Sequence, residues 1–428
     1  MAQINAGNGI DGNATDSVGT NLSTTSLVGR SYADMISYNC SSVGGNSAVT
    51  TATPNGIVEG DDVLLLCAQG TPSDFANVGN YETFRVTSVN NNTVTFDANK
   101  TKDFGAVGGD TNIGTLSTNI KVILQRIPNY TTFTVNNGVT TTCDTWDGTK
   151  GGVLFVKASG TATINGSMSV STKGYRAGWN PGGTYGQQGE SISGAGGQSS
   201  ANNQGGGGGD RVGQNNAGGG GYGTAGTNGA TYMGTPLGGT VYGAADLLKI
   251  YLGSGGGHYQ FAGPSGAGGG LIFIVATTLH IYGTLSATGG VSASGGGDGS
   301  GGSILIHAGA LYTHSSTLVA VGYGTGVGSG GDGRIAIYYN TLGDSLVTTA
   351  PITYTDDTLE LPFSISGTTT EDGIVYIMDS SMVKIGQGNV TFGSYEVGNL
   401  PGAGPYHIIG IPTDSNEGAL IFRDVTAQ

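Results

Sequence analysis

Apolar and polar residues alternate in short runs through the first third of the chain. Asp62 to Ala68 reads DVLLLCA, Tyr81 to Val89 reads YETFRVTSV, and after the turn Asn90-Asn91-Asn92 comes Thr93 to Asp97, TVTFD. Period-two alternation with β-branched residues on both sides of an asparagine turn predicts a hairpin. Ile120 to Arg126 and Tyr130 to Val135 predict two more strands, with Pro128 as the break between them. The expected unit over residues 1–149 is a small twisted sheet, a β-barrel or a sandwich that closes its own edges. Met1 to about Ser31 is weakly patterned and rich in Asn, Gly and Thr, which fits a tail docking onto something else.

A repeat follows. Gly151-Gly152 precedes Val153-Leu154-Phe155-Val156, then Ala158, Gly166, Met168 and Val170. Gly269-Gly270 opens the same pattern with Leu271-Ile272-Phe273-Ile274, Ala276, Gly283, Leu285 and Ala287. A third copy starts at Gly301-Gly302 with Ile304-Leu305-Ile306, Ala308, Leu318 and Ala320, and a degraded fourth runs Gly333-Arg334-Ile335-Ala336-Ile337. The second, third and fourth copies start about 31 or 32 residues apart. An extended apolar run, a corner and a short alternating run make one coil of a β-solenoid, which buries its inner face only by stacking on the next coil. Residues 150–349 are therefore expected to form a glycine-rich solenoid interrupted by an insertion at 174–268. The insertion is about one third glycine, and its charged residues are Arg176, Glu190, Asp210, Arg211, Asp246 and Lys249. Two structures fit it: a bundle of extended polyglycine-like helices whose backbones bond to one another, or long loops draped over the solenoid and packed by tyrosines.

From about residue 350 the pattern changes again. Phe363–Gly367, Gly373–Asp379, Gly393–Val397, Tyr406–Ile411 and Ala419–Val425 read as short strands between turn residues. Their spacing predicts a C-terminal β-sandwich over 350–428. The fold class expected for the whole chain is all-β.

Composition narrows the function classes. The 428 residues include 84 glycines and only 11 prolines, with 10% charged residues and a net charge of −14. Glycine without a strict third-position period excludes collagen, and the low charge argues against a coiled coil or a solvated disordered tail. Excess negative charge would repel phosphate backbones and anionic lipid, so no nucleic-acid partner is expected. No apolar run is long enough for a membrane-spanning helix, and no membrane insertion is expected. Met1 to Asp11 lacks the positive charge and apolar core of a secretory signal, so the protein is expected to stay where it is made, to be released by lysis or to have been trimmed. Cys40, Cys67 and Cys143 show no metal or redox spacing and read as buried small hydrophobes.

Catalytic chemistry is sparsely represented. His258, His280, His307, His314 and His407 have no carboxylate and nucleophile spaced for a triad, and read as structural. Polysaccharide-cleaving solenoids need paired carboxylates on adjacent coils, whereas here Asp298 and Asp332 sit singly in glycine corners. One carboxylate per turn is too few for calcium, and Lys173 and Lys249 are not placed as in a phosphate-binding loop. The expectation is a non-enzyme without cofactor or metal. Binding is better served: Trp179, Tyr185, Tyr222, Tyr232, Tyr242, Tyr251 and Tyr259 are spaced through a glycine scaffold, and such rings offer rigid amphipathic contact area suited to sugars. The alternative for each ring is gap filling between coils.

The C-terminal motifs, Ser364 to Gly367 (SISG), Gly393 to Val397 (GSYEV), Leu400-Pro401 with Pro405-Tyr406-His407-Ile408, and Ala419 to Val425 (ALIFRDV), together resemble the transthyretin-like sandwich modules of tailed-bacteriophage virion proteins. In that family the last strand carries an ALIFDRV-style sequence, and Arg423-Asp424 stands here in the reverse order. The glycine-rich centre resembles glycine-rich regions of phage tail fibres and tail-tip adhesins. The resemblance implies a structural virion protein at the virion surface: a tail fibre, spike or decoration protein contacting a host-surface glycan or protein. It also implies a homo-oligomer, often a trimer, with other virion proteins as partners. The alternatives are an extracellular filament subunit or adhesin of a prokaryote, in which an N-terminal strand pairs with the next subunit's sheet edge, and then a glycan depolymerase.

Overall fold

The structure, a computed structural model, describes residues 5–179, 186–210, 217–230, 235–259, 265–293, 295–346 and 353–357, and beyond these the strands of the C-terminal region. The described residues are all-β, with no helix. Residues 8–357 form one compact unit, and residues 358–428 form a second that also takes in the first seven residues. The expected boundary near 149 therefore falls inside a compact unit.

Within the larger unit, the hairpin read from the asparagine turn closes into a barrel. Its strands run in the order Ser37–Val43, Ser47–Thr50, Thr93–Phe96, Tyr81–Asn90, Asp62–Gln69 and Lys121–Ile127. All of its pairings are antiparallel. Asn91, in the turn, takes a left-handed φ of 50°. Ser37–Val43 and Ser47–Thr50 lie outside the strands expected from sequence, because their readings SYNCSSV and SAVT carry little alternation of apolar and polar residue types. Thr132–Val135, expected beside Lys121–Ile127, leaves the barrel instead. It pairs in parallel with Asn13–Asp16 on one side and Val153–Ile164 on the other, so the N-terminal tail docks as a strand of the next sheet.

That sheet is parallel and is built from the repeats. Val153 pairs with Leu271, Leu271 with Ser303, and Ser303 with Arg334, so the four copies align in the register read from their glycine pairs. A second parallel sheet stacks Thr140–Thr141, Ser167–Ser169, Thr284–Ser286 and Thr317–Val319. Like residues form ladders between the two sheets: Leu154, Ile272, Ile304 and Ile335; Val156, Ile274, Ile306 and Ile337; Met168, Leu285 and Leu318, all at most 1% exposed. At roughly 1.5–3 kcal/mol for each fully buried large aliphatic chain, these ladders are the main stabilising feature of the coils. The first coil enters its strand through Gly151 and Gly152, at φ 95° and 80°, a conformation strained for any side chain.

Barrel and coils are joined by buried charge. Arg126, 0% exposed, donates from Nε to Asp61 at 2.8 Å and from Nη2 to Asp11 at 2.5 Å. Lys157, on the first coil, donates to Asp62 of the barrel at 2.9 Å, and Arg85 bonds the same carboxylate at 3.0 Å. Burial alone would raise the Asp62 pKa; the two cations hold it below the usual carboxylate range.

The C-terminal unit has an antiparallel sheet in the order Lys384–Val390, Gly373–Met378, Tyr406–Pro412 and Leu420–Val425, and a separate antiparallel pair, Phe363–Thr368 with Ser394–Leu400. Five of these strands match the expected segments; Lys384–Val390, with two glycines in its reading KIGQGNV, was not anticipated.

Candidate ligand-binding surface

The described part of the insertion contains no long strand, yet much of its backbone is hydrogen-bonded to other segments. In residues 253–258 the amides of Gly253 and Gly256 donate to Gly269 and Gly266, those of Gly255 and His258 donate to Glu190 and Gln187, and that of Gly257 donates to Gly218. The neighbour returns every third residue. The next segment repeats the rule: Gly218 and Gly221 donate to Gly208 and Gly205, while Ala217 and Gly220 donate to Gly295 and Asp298. A strand addresses two neighbours; a three-residue helical period addresses three directions, so these segments pack as a lattice with the pattern of polyglycine helices rather than as draped loops. Glycine is required because backbone lies where a β-carbon would be. At Gly257 that carbon would fall on the Gly208 carbonyl oxygen and 2.8 Å from that of Gly207.

The lattice is anchored to the rest of the unit. Glu190, 3% exposed, accepts from the Trp146 indole at 3.1 Å and from Arg176 at 3.0 Å. Tyr175 donates its hydroxyl to Ala68 of the barrel at 2.5 Å, and Gln69 donates to Ser191 at 3.0 Å.

The rings proposed for binding from sequence divide into three groups. Tyr222 is 0% exposed; its hydroxyl shares a 2.8 Å hydrogen bond with Ser303, and its ring lies 4.7 Å from Tyr242 and 5.5 Å from the Arg334 guanidinium. Burial pushes its phenol pKa up. Tyr242 donates to the Leu252 carbonyl at 2.6 Å, and Tyr251 packs edge-on against Tyr242 at 5.5 Å. Contrary to the expectation of a displayed ring, Tyr222 is a packing residue wedged between lattice and coils, with Tyr242 and Tyr251 half-buried around it. Trp179, by contrast, is 55% exposed, its ring tilted on that of His258 at 5.3 Å, and Tyr259 is half-exposed beside Gly295. Tyr185 and Tyr232 lie outside the described residues.

Asp298 and Asp332 hold corners: Asp298 accepts the Ser292 amide at 2.7 Å and Asp332 the Gly322 amide at 3.2 Å. No cluster of three or more metal-ligating side chains occurs among the described residues. Cys40, Cys67 and Cys143 are buried and unpaired, and burial drives the Cys40 and Cys143 thiols up to about 12.

His280 and His314, expected from sequence to be structural, meet two tyrosines on the outer corner of the second and third coils. His280 stacks on Tyr312 at 4.5 Å and Tyr282 on His314 at 3.9 Å, the latter pair within 3° of parallel. Nδ1 of His280 lies 3.0 Å from Nε2 of His314, and Nδ1 of His314 lies 3.6 Å from the Asp344 carboxylate. Tyr282 is 51% exposed and, with Tyr323 at 49%, is among the open aromatic rings of the unit. The signal was available: His280-x-Tyr282 and Tyr312-x-His314 occupy matching places in adjacent repeats.

Comparison with solved structures gives weak likeness to bacteriophage tailspikes. The tailspike protein gp49 from Pseudomonas phage LKA1 is 11% identical, with 96% of this chain and 86% of that chain covered at a TM-score of 0.18. The Pseudomonas phage phi297 tailspike gp61 is 11% identical over 97% and 84% at 0.16. The Gp54 tailspike of Acinetobacter baumannii bacteriophage AP22, solved in complex with an A. baumannii capsular saccharide, is 12% identical over 91% and 84% at 0.18. TM-scores of this size do not define a common fold, so the reading below rests on the residues of this chain. The sequence matches no protein-family model and no curated protein.

Proposed function

We propose that this chain is a structural, non-enzymatic virion protein of a tailed bacteriophage, a tail fibre, spike or surface-decoration protein that adheres to a host-surface glycan or protein. The observation that carries the reading is the three-way hydrogen-bonded glycine lattice fastened to stacked coils. Lattice and coils together give exposed rings a stiff support, Trp179 on the lattice and Tyr282 on the coils, which lowers the entropy lost on binding. The C-terminal motifs resembling virion sandwich modules agree with it. The N-terminal region serves attachment to other virion proteins, and the chain acts as a homo-oligomer, a trimer by the same resemblance.

Adsorption tests this directly. The purified full-length protein should bind host cells saturably and compete with virions, and sizing with light scattering should give a closed oligomer. Open filaments in negative stain would favour the filament-subunit reading instead. Release of reducing sugar from a host polysaccharide that it binds would overturn the non-enzymatic part.

A further inference from the structure

We propose that the corner formed by His280, Tyr282, Tyr312, His314 and Asp344 is a subsite for a neutral saccharide, stacking one sugar ring on Tyr282. The proposal rests on the adhesion reading above and adds a place and a ligand class to it.

Three observations converge on this corner. The first is preorganisation. The centres of the two imidazoles are 5.3 Å apart and their planes differ by 14°, while the facing nitrogens are 3.0 Å apart. The excess of the first distance over the second is two ring radii, so the rings lie edge to edge in nearly one plane and share a single in-line proton. The carboxylate of Asp344 favours the His314 proton on Nδ1. Nε2 of His314 then accepts from Nδ1–H of His280, and Nε2 of His280 keeps a lone pair that can accept a hydroxyl proton.

The second is backbone strain. Two residues separate the strands at this corner in the first and second coils, from Ile164 to Ser167 and from Ile281 to Thr284, but four do so in the third, between Tyr312 and Thr317. In that longer corner His314 and Ser315 take consecutive left-handed conformations, φ 45° and 60°. The Asp344 carboxylate clamps them by accepting the Thr313 and His314 amides, both at 2.7 Å. Consecutive left-handed non-glycine residues persist only where surrounding bonds hold them, and such sites concentrate at ligand clamps. Here the strain sets the His314 ring on Tyr282 and in line with His280.

The third is the surface itself. Tyr282 remains 51% exposed although one face is covered by His314, so its other face and its hydroxyl edge are open. Its amide donates to Ile164 at 2.9 Å, which sets the half-exposed Thr163 and Asn165 of the first coil beside it. An open ring face rimmed by hydroxyl, amide and imidazole groups matches a pyranose, whose apolar face stacks while its hydroxyls bond at the rim. Asp344, together with the net charge of −14, disfavours anionic sugars.

The test is titration of the full-length protein with short neutral glucose-, galactose- and mannose-based oligosaccharides, alongside host-cell adsorption. At least one series should bind, Tyr282→Ala and His280→Ala should each weaken it about tenfold or more, and Tyr282→Phe should keep most of the affinity. Melting curves of each variant separate lost contact from lost fold. Binding unchanged in Tyr282→Ala overturns the site and leaves the adhesion reading intact. Adsorption to cells with no neutral saccharide bound overturns the ligand class. Absence of both overturns the site and the adhesion reading together.

Discussion

Replacement of Gly257 by alanine probes whether the glycine lattice is a packed structural element. The residue is buried, donates to Gly218 at 2.9 Å and accepts from Gly297 at 2.9 Å. Its new methyl would fall on the Gly208 carbonyl, and Gly208 is itself backbone held by a 2.7 Å bond to Leu237. No flexible side chain can yield, so a whole segment must move. Overpacking of this kind costs about 1–3 kcal/mol, and each buried amide or carbonyl parted from its partner adds about 1–3 kcal/mol. With two such bonds at Gly257, the loss is expected to be at least about 3 kcal/mol. In thermal melts this should appear as a fall of roughly 5 °C or more. Gly326→Ala is the control, because no heavy atom lies within 4 Å of its β-carbon position, and its effect should stay within about 0.5 kcal/mol. Equal melting temperatures for the two variants, measured with denaturant titrations to verify the transition, would refute the lattice as a cooperative part of the fold.

Other consequences follow from buried groups. Arg126→Ala leaves Asp11 and Asp61, both buried, with the longer contacts to Arg30 at 3.6 and 3.4 Å as their remaining ion pairs, and should cost up to about 3 kcal/mol in denaturant unfolding, partly recovered by adding Asp61→Asn. Tyr222→Ala should destabilise by about 3–5 kcal/mol, so a Tyr222, Tyr232 and Tyr242 triple alanine variant should melt lower, whereas a purely displaying role would leave melting unchanged. His307 packs between Phe273 at 5.2 Å and Tyr338 at 4.8 Å, and burial lowers its pKa to about 4. Because the unfolded imidazole takes a proton first, its contribution is complete above about pH 6.5 and is lost as pH falls from there towards 4, by at most about 3 kcal/mol. His307→Phe should flatten that part of the stability profile; an unchanged slope would remove His307 as its source.

The parallel pairing of the repeats was legible in the sequence because each repeat carries its apolar residues and glycine pairs at one spacing, and in-register stacking places like on like: Ile272 on Ile304, Leu285 on Leu318. The barrel hairpin was legible for a similar reason, since Tyr81–Asn90 and Thr93–Phe96 alternate about an asparagine turn. The candidate surface was legible only in part. Tyrosines in a glycine-rich segment look alike on paper, yet Tyr222 fills a gap beside Arg334 while Trp179 stays open. Tyr282 and His314 lie 32 residues apart in sequence, and their stacking follows only from coil register and from the longer third corner.

Sequence by itself determined the all-β character and the spacing of the repeats, because these depend on local alternation and residue type. Tertiary structure alone decided the direction of the glycine hydrogen bonds, since a residue without a side chain leaves no pattern of inside and outside. It also decided which aromatic rings are walls and which are surface. The buried ion pairs belong to the same class: Arg126 meets Asp11 and Asp61 across 115 and 65 residues. No local signal marks such a meeting, because it depends on how the barrel strand carrying Arg126 packs against the turn before Asp62 and the N-terminal segment before Asn13, where desolvation makes each unpaired charge costly.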